Sequence, residues 1–304
     1  MRMTRLRVLE AAALASVLVA ALVVSGVACG QDEEPEDGIG VIVTIPPLGD
    51  FVSKVGGEKV RVTVMVPAGA SPHTYNPTPS QMTSVANADM YAKVGSGVEF
   101  ELVWMDRMLE QNEDMLVVNC AEGVQMMPVN GGGGNGEGNR EQRGTDPHIW
   151  MSPLNAMRMV ENITDGLVQI DPGSRTYFEE RRDAYLRELT ELDQDIREGL
   201  AGVANGAFMA YHDSLGYLAA EYGLTLLVIE AEGKEPKGAG IARSIDLAKE
   251  HNIDVIFASP ESSPESAEVI AREIGGRVAL ADSMAADYVS NMRALTAELV
   301  LSME

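Results

Sequence analysis

The sequence predicts an α/β protein of two lobes with parallel β-sheets flanked by helices, joined by one long helix. Three observations lead there. From Gly40 short β-rich runs alternate with amphipathic stretches at the spacing of βα units. Between Ser174 and Leu200 the apolar residues follow a helical period without interruption. From Ala207 the alternation resumes, and 304 residues are enough for two lobes of ordinary size.

In order, Val41-Ile42-Val43-Thr44-Ile45 reads as a strand, and Leu48 to Val55 as a helix closed by Gly56-Gly57. Val60 to Val66 is a strand ended by Pro67, Ser80 to Ala88 a helix, and Met90 to Val94 a strand. Gly95-Ser96-Gly97 is a turn before a helix at Phe100 to Gln111 and a strand at Met115 to Asn119. Residues 130–144 are too rich in glycine to pack and read as a mobile surface loop. Helical periodicity then runs from Asn155 to Gly202, divided by Pro172-Gly173, and its second piece would span roughly 40 Å. Strands follow at Ala207 to Tyr211, Leu224 to Ile229, Asp254 to Ala258 and Arg277 to Leu280, with helices at 214–222, 240–251, 264–274 and 286–303. The divisions expected are an N-terminal lobe at 40–173, a linking helix at 174–201 and a C-terminal lobe at 202–304.

Ahead of the first lobe stand Arg2, Arg5 and Arg7, an apolar run from Ala11 to Val24, and small residues leading to Cys29. That order is an export signal over residues 1–28, and its apolar run is shorter than the ~20 residues of a membrane-spanning helix. Ser25-Gly26-Val27-Ala28-Cys29 resembles a bacterial lipoprotein cleavage box, with Gly26 where an aliphatic residue is usual, so Cys29 is the expected lipid-bearing residue. Residues 29–39 would then tether an exported protein to the outer side of the cytoplasmic membrane. With Cys29 lipidated, Cys120 has no disulfide partner. The net charge of −23 excludes nucleic acid as a partner, since a phosphate-binding surface needs clustered Lys and Arg.

Three of the four histidines stand where strands end and loops begin. His73 lies past the second strand, His148 just after the glycine-rich loop, and His212 directly after Phe208-Met209-Ala210-Tyr211. Asp282 follows Val278-Ala279-Leu280 at the same address in the second lobe, with Asp287 as a neighbouring alternative. Ligands of parallel sheets collect at the carboxyl ends of strands. Three imidazoles and a carboxylate make a borderline-soft cage suited to Zn2+, and less well to Mn2+ or Fe2+. His251 ends a polar helix and reads as solvent-facing, and the acidic group Glu230, Glu232 and Glu235 reads as a solvated loop, with a weak accessory cation site as the alternative. Trp104 and Trp150 read as core or lobe-contact residues.

Four stretches carry a family resemblance: Thr44-Ile45-Pro46-Pro47-Leu48, Pro67 through Ser80 around Ser71-Pro72-His73-Thr74-Tyr75, Asp146-Pro147-His148-Ile149-Trp150-Met151-Ser152-Pro153, and Tyr211-His212-Asp213-Ser214-Leu215-Gly216-Tyr217-Leu218. In this order, and continued by Ser263-Pro264-Glu265-Ser266-Ala267 and Ala281-Asp282-Ser283, they resemble the zinc/manganese substrate-binding proteins of ABC transporters, the ZnuA/TroA-like family, over about residues 40–303. The resemblance implies the metal-receptor type of the periplasmic-binding-protein fold, with a single rigid helix between the lobes and the metal in the cleft. Its ligands fall on His73, His148, His212 and Asp282, two from each lobe. It implies a high-affinity receptor, a monomer, that delivers its ion to a membrane ABC permease. In such proteins a Glu at the third ligand goes with manganese and a His with zinc, so His212 favours Zn2+ with Mn2+ as the second candidate. Asn76 stands where the family usually has Glu, which removes a charge beside the first ligand, and the loop at 130–144 lacks the histidines that many zinc-uptake members carry there.

Two readings of other classes compete. A zinc hydrolase needs an open coordination position and a paired base, and four protein ligands without an H-E-x-x-H motif supply neither, so no enzyme is expected. A surface adhesion lipoprotein would need a partner surface that no residue pattern here encodes.

Overall fold

The structure is a computed structural model that describes residues 38–128, 144–203, 206–230, 235–260 and 264–303. The expected export signal at 1–28, the tether up to Asp37 with Cys29, the glycine-rich loop apart from Gly144, and Glu232 lie outside the described residues.

Strand β1 (Ile39–Val43) runs into helix α1 (Pro46–Gly56), whose paired prolines open the first turn two residues earlier than the apolar period suggested. Proline is pre-set for the first helical turn, where its missing N–H has no partner to lose. There follow β2 (Val60–Val64), α2 (Pro79–Ala86), β3 (Met90–Lys93), α3 (Glu99–Gln111) and β4 (Leu116–Asn119). Helix α2 begins with a capping box between Thr78 and Gln81, and the Gln81 amide also donates to the carbonyls of Val64 and Met65. The turn carrying His73 is thereby closed at both ends against β2.

Helices α4 (Pro153–Ile170) and α5 (Arg175–Leu200) lead into β5 (Ala207–Ala210), α6 (Gly216–Glu221), β6 (Thr225–Val228), α7 (Gly238–Glu250), β7 (Val255–Ala258), α8 (Pro264–Ile274), β8 (Arg277–Leu280) and α9 (Tyr288–Met303). The stretch expected as one helix at 214–222 divides into a 3-10 turn, Asp213–Leu215, and the short α6.

All sheet pairings are parallel, in the orders β2-β1-β3-β4 and β6-β5-β7-β8. The two sheets thus share one topology. In each, the strand order reverses beside the first strand, and the crevice beyond its carboxyl end is where such sheets bind ligands. Helix α4 lies close on the first sheet at Gly166, where a Cβ would meet Val118 Cγ2 at 2.4 Å.

The 26-residue helix α5 buries Phe178, Tyr185, Leu189, Leu192, Ile196 and Leu200, a stripe of three- and four-residue steps. Its ends address different lobes. Tyr185 donates to Asp50 of α1 at 2.9 Å, while Asp195 pairs with Arg293 of α9 at 2.9 Å. One apolar cluster runs from both faces of the first sheet through α4, α5 and α9 to Phe208 and Phe257 of the second sheet. A smaller cluster fills the other face of the second sheet, under α7 and α8. Cys120 is fully buried, and burial pushes its thiol pKa up.

Candidate metal centre

Each histidine reaches the cleft by a different local device. His212 follows β5, whose course is extended when Tyr211 donates to the Phe257 carbonyl at 2.7 Å. Glu230 N–H returns to the Tyr211 carbonyl at 2.9 Å, which seats the Glu230 side chain beside the ring of His212. His148 enters a 3-10 turn, Ile149–Met151, and one oxygen of Asp146 accepts both the His148 backbone N–H at 2.9 Å and its Nδ1 at 2.8 Å. Trp150 stacks edge-on to His148 and donates Nε1 to the Ser283 carbonyl at 2.7 Å. His73 sits in the turn between β2 and α2, and its Nδ1 meets the carboxylate of Glu99.

The three rings converge. His212 lies between the other two, with ring centres 5.1 Å from His148 and 5.5 Å from His73. Depth grades across them: the side chains of His148, His212 and His73 are 7%, 21% and 40% exposed. Each Nδ1 is held by a carboxylate, Asp146, Glu230 at 2.7 Å and Glu99 respectively. A hydrogen bond at Nδ1 fixes the tautomer and turns the Nε2 lone pair outward, the usual second layer of a histidine metal site.

Nε2 of His148 and Nε2 of His212 stand 3.4 Å apart. Two nitrogens bound at 2.0–2.1 Å to one tetrahedral ion would be about 3.3–3.4 Å apart. Asp213 brings Oδ1 to 3.6 Å from His212 Nε2, and donor atoms of His148, His212 and Asp213 all lie within 4.8 Å of one another. Burial opposes charging of His212, yet the Glu230 hydrogen bond and the charges of Asp213, Glu230 and Asp146 outweigh it, so its pKa is raised.

Asp282 stands at the exit of β8, where Oδ1 accepts the Met284 N–H at 2.8 Å and the backbone carbonyl accepts from Asn291. It is outside the close donor set formed by His148, His212 and Asp213. Asp287, the neighbouring alternative, caps α9 by accepting the Ser290 N–H at 3.1 Å. Glu99 and Asp146 have no role expected from the sequence, and Glu230 belongs to the acidic group expected as a solvated loop or a weak accessory cation site. Glu230 is in fact 17% exposed and bonded to His212. The charge absent at Asn76, whose amide folds back onto the Thr74 carbonyl, is supplied to His73 by Glu99 from α3. Only the Asp146 role had a local signal, since an aspartate two residues before a histidine can take both of its N–H groups.

The loops carrying the histidines are joined to each other. Ser96 donates to the Pro147 carbonyl at 2.5 Å, linking the turn before Glu99 to the His148 loop. Gly95 makes that turn possible: it holds φ 81°, and a Cβ there would meet Asn119 Oδ1 at 1.7 Å. Tyr217, from α6, accepts the Met127 N–H at 2.9 Å and donates to the Asp146 carbonyl at 3.3 Å.

The family model described as ZnuA, zinc-uptake complex component A periplasmic, matches residues 41–301. The high-affinity zinc uptake system protein ZnuA of Bacillus subtilis is 28% identical over 269 residues, 84% of this chain and 81% of its own length. The manganese-binding lipoprotein MntA of Halalkalibacterium halodurans is 28% identical over 271 residues, 86% of this chain and 85% of its own. A solved crystal structure of ZnuA superposes with a TM-score of 0.82 at 34% identity, covering 88% of this chain and all of that one. With both sheets, the long helix and the histidine cluster in place, the chain belongs to the zinc-uptake complex component A family.

Proposed function

We propose that this chain is a high-affinity extracytoplasmic receptor that holds Zn2+ through His73, His148, His212 and Asp282 and delivers it to a membrane ABC permease. It is a metal-binding receptor of its family and not an enzyme. One observation carries the choice of site: two Nε2 atoms 3.4 Å apart, each on a ring whose Nδ1 is hydrogen-bonded to a carboxylate. When both rings are neutral with their protons on Nδ1, the two Nε2 lone pairs face each other at that distance, an arrangement that a metal ion between them relieves. Four carboxylates, Glu99, Asp146, Asp213 and Glu230, add the negative potential that draws a divalent ion in.

Zinc is favoured over manganese by the donor set, since three imidazoles suit a borderline-soft ion and carboxylate-rich cages suit a harder one. The reading as a manganese receptor draws on MntA, as similar to this chain as the zinc relative. Competition titration of Zn2+ against Mn2+ on the wild type and His212→Glu separates them. Tighter zinc binding by the wild type, with preference moving toward manganese in the variant, is expected. Equal or tighter manganese binding by the wild type would sink the zinc assignment.

Anchoring through a lipid on Cys29 completes the proposal, with the receptor a monomer on the outer face of the cytoplasmic membrane. No helix among the described residues is long and apolar enough to cross a membrane. Release of the protein into the soluble fraction by Cys29→Ala is the expected result, and unchanged membrane retention would refute the anchor.

A further inference from the structure

We propose that Asp213 is itself a ligand of the ion, so that the chain offers two carboxylates, Asp213 and Asp282, to one metal. This rests on reading the imidazole cluster as an ion site.

Aspartates at the neighbouring turns show what Asp213 does differently. Asp146, Asp282 and Asp287 each turn Oδ1 onto a backbone N–H two or three residues further on. That is the ordinary use of aspartate in a turn. Asp213 opens a 3-10 turn of the same kind, yet its Oδ1 lies 3.6 Å from Nε2 of His212. This is the metal-facing side of the ring, because Nδ1 is engaged by Glu230.

Three ligating groups therefore converge: Nε2 of His148 and Oδ1 of Asp213 lie 3.4 and 3.6 Å from Nε2 of His212, and one ligand atom from each of the three residues falls within 4.8 Å of the other two. When both rings are neutral with the proton on Nδ1, donated to a carboxylate, the two Nε2 atoms and the Asp213 oxygen are all acceptors. Such a set favours a cation at its centre. Separations of 3.4 and 3.6 Å are close to the edges of a tetrahedron around Zn2+, about 3.3–3.5 Å for nitrogen and carboxylate-oxygen ligands. His148 comes from the first lobe, and His212 with Asp213 from the second, so this triad alone ties the lobes through the ion. Zinc accepts a fifth ligand, which leaves room for both carboxylates beside three imidazoles.

The test uses the purified full chain, with Zn2+ affinity from competition against a chromophoric chelator and the visible spectrum of the Co2+-loaded protein. Asp213→Asn should weaken Zn2+ binding by about tenfold or more and shift the Co2+ bands, while Asp213→Glu restores part of the affinity. Affinity within about twofold of wild type together with a superimposable Co2+ spectrum overturns the proposal. A zinc-bound crystal structure of the wild type decides it even where a variant does not fold. A carboxylate oxygen of Asp213 about 2.0–2.2 Å from the ion supports the proposal, and its absence from the coordination shell rejects it. His148→Ala and His212→Ala mark the other failure: if both keep wild-type affinity, the imidazole site itself is wrong and Asp213 falls with it.

Discussion

Glu230, Asp146 and Glu99 hold the three imidazoles with unequal firmness. Asp146 is buried with His148, Glu230 is half-buried with His212, and Glu99 meets His73 at the exposed rim. Glu230→Gln keeps the size of the side chain but removes the negative charge behind His212. It should weaken zinc binding by about 10–100-fold, measured by chelator competition. A second expectation concerns pH. The pKa of His212 is raised in the fold, so its charged form stabilises the metal-free protein at low pH, and that contribution is lost as pH rises through the raised value. Zinc needs the neutral ring, so acidification should weaken binding from above the usual imidazole range downward. Imidazole titration by NMR in the metal-free protein should show the raised value, and Glu230→Gln should lower it. At this scale the sequence was half informative. The histidines could be found because His212 stands at a strand exit and His73 and His148 lie in the connecting loops, whereas Glu99 and Glu230 lie 26 and 18 residues from the rings they hold. No local pattern links positions brought together only by the sheet.

Among the elements, α4 and α5 do most to place the site. The 3-10 turn bearing Trp150 runs into α4, whose cap is Ser152, and Gly166 lets that helix sit directly on β3 and β4. Gly166→Val would force a side chain against Val118 Cγ2 and Met90 Sδ. An overpacking cost of about 1–3 kcal/mol is expected, read as a lower midpoint in urea denaturation of the metal-free protein. The extent of nearly every helix and strand was legible from apolar periodicity and from Pro and Gly punctuation. The 3-10 turn at Asp213–Leu215 was not, because its residues carry the same pattern as the helix after it. The bridge between Pro128 and Thr145 was hidden too, since it pairs residues across the glycine-rich stretch without a strand on either side.

For the molecule as a whole, a continuous apolar core through both lobes governs how far they can part. Swinging the lobes widely would expose parts of the cluster that joins α4, α5 and α9 to Phe208 and Phe257. Burial of that surface is favourable by roughly 25 cal/mol per Å2, so a wide opening is costly. Zinc loading should therefore leave the radius of gyration unchanged within the precision of small-angle scattering, while changing Trp150 fluorescence beside His148. A large compaction on loading would contradict the shared core. Periodicity revealed two α/β halves and the long helix, but not the strand order or the fusion of the cores, which depend on which helix faces cover which sheet.

The Pro128–Thr145 bridge, reinforced where Asp146 donates to the Met127 carbonyl at 2.8 Å, has a use beyond architecture. Pro128 and Thr145 stand side by side, as the two ends of a hairpin do. Closing a longer stretch between such points adds only about 0.6 kcal/mol for each doubling of its length. A reporter domain with neighbouring termini could be grafted there, one residue from Asp146 and three from His148. The junction would sit within hydrogen-bonding reach of Tyr217 and register the arrival of the ion as light.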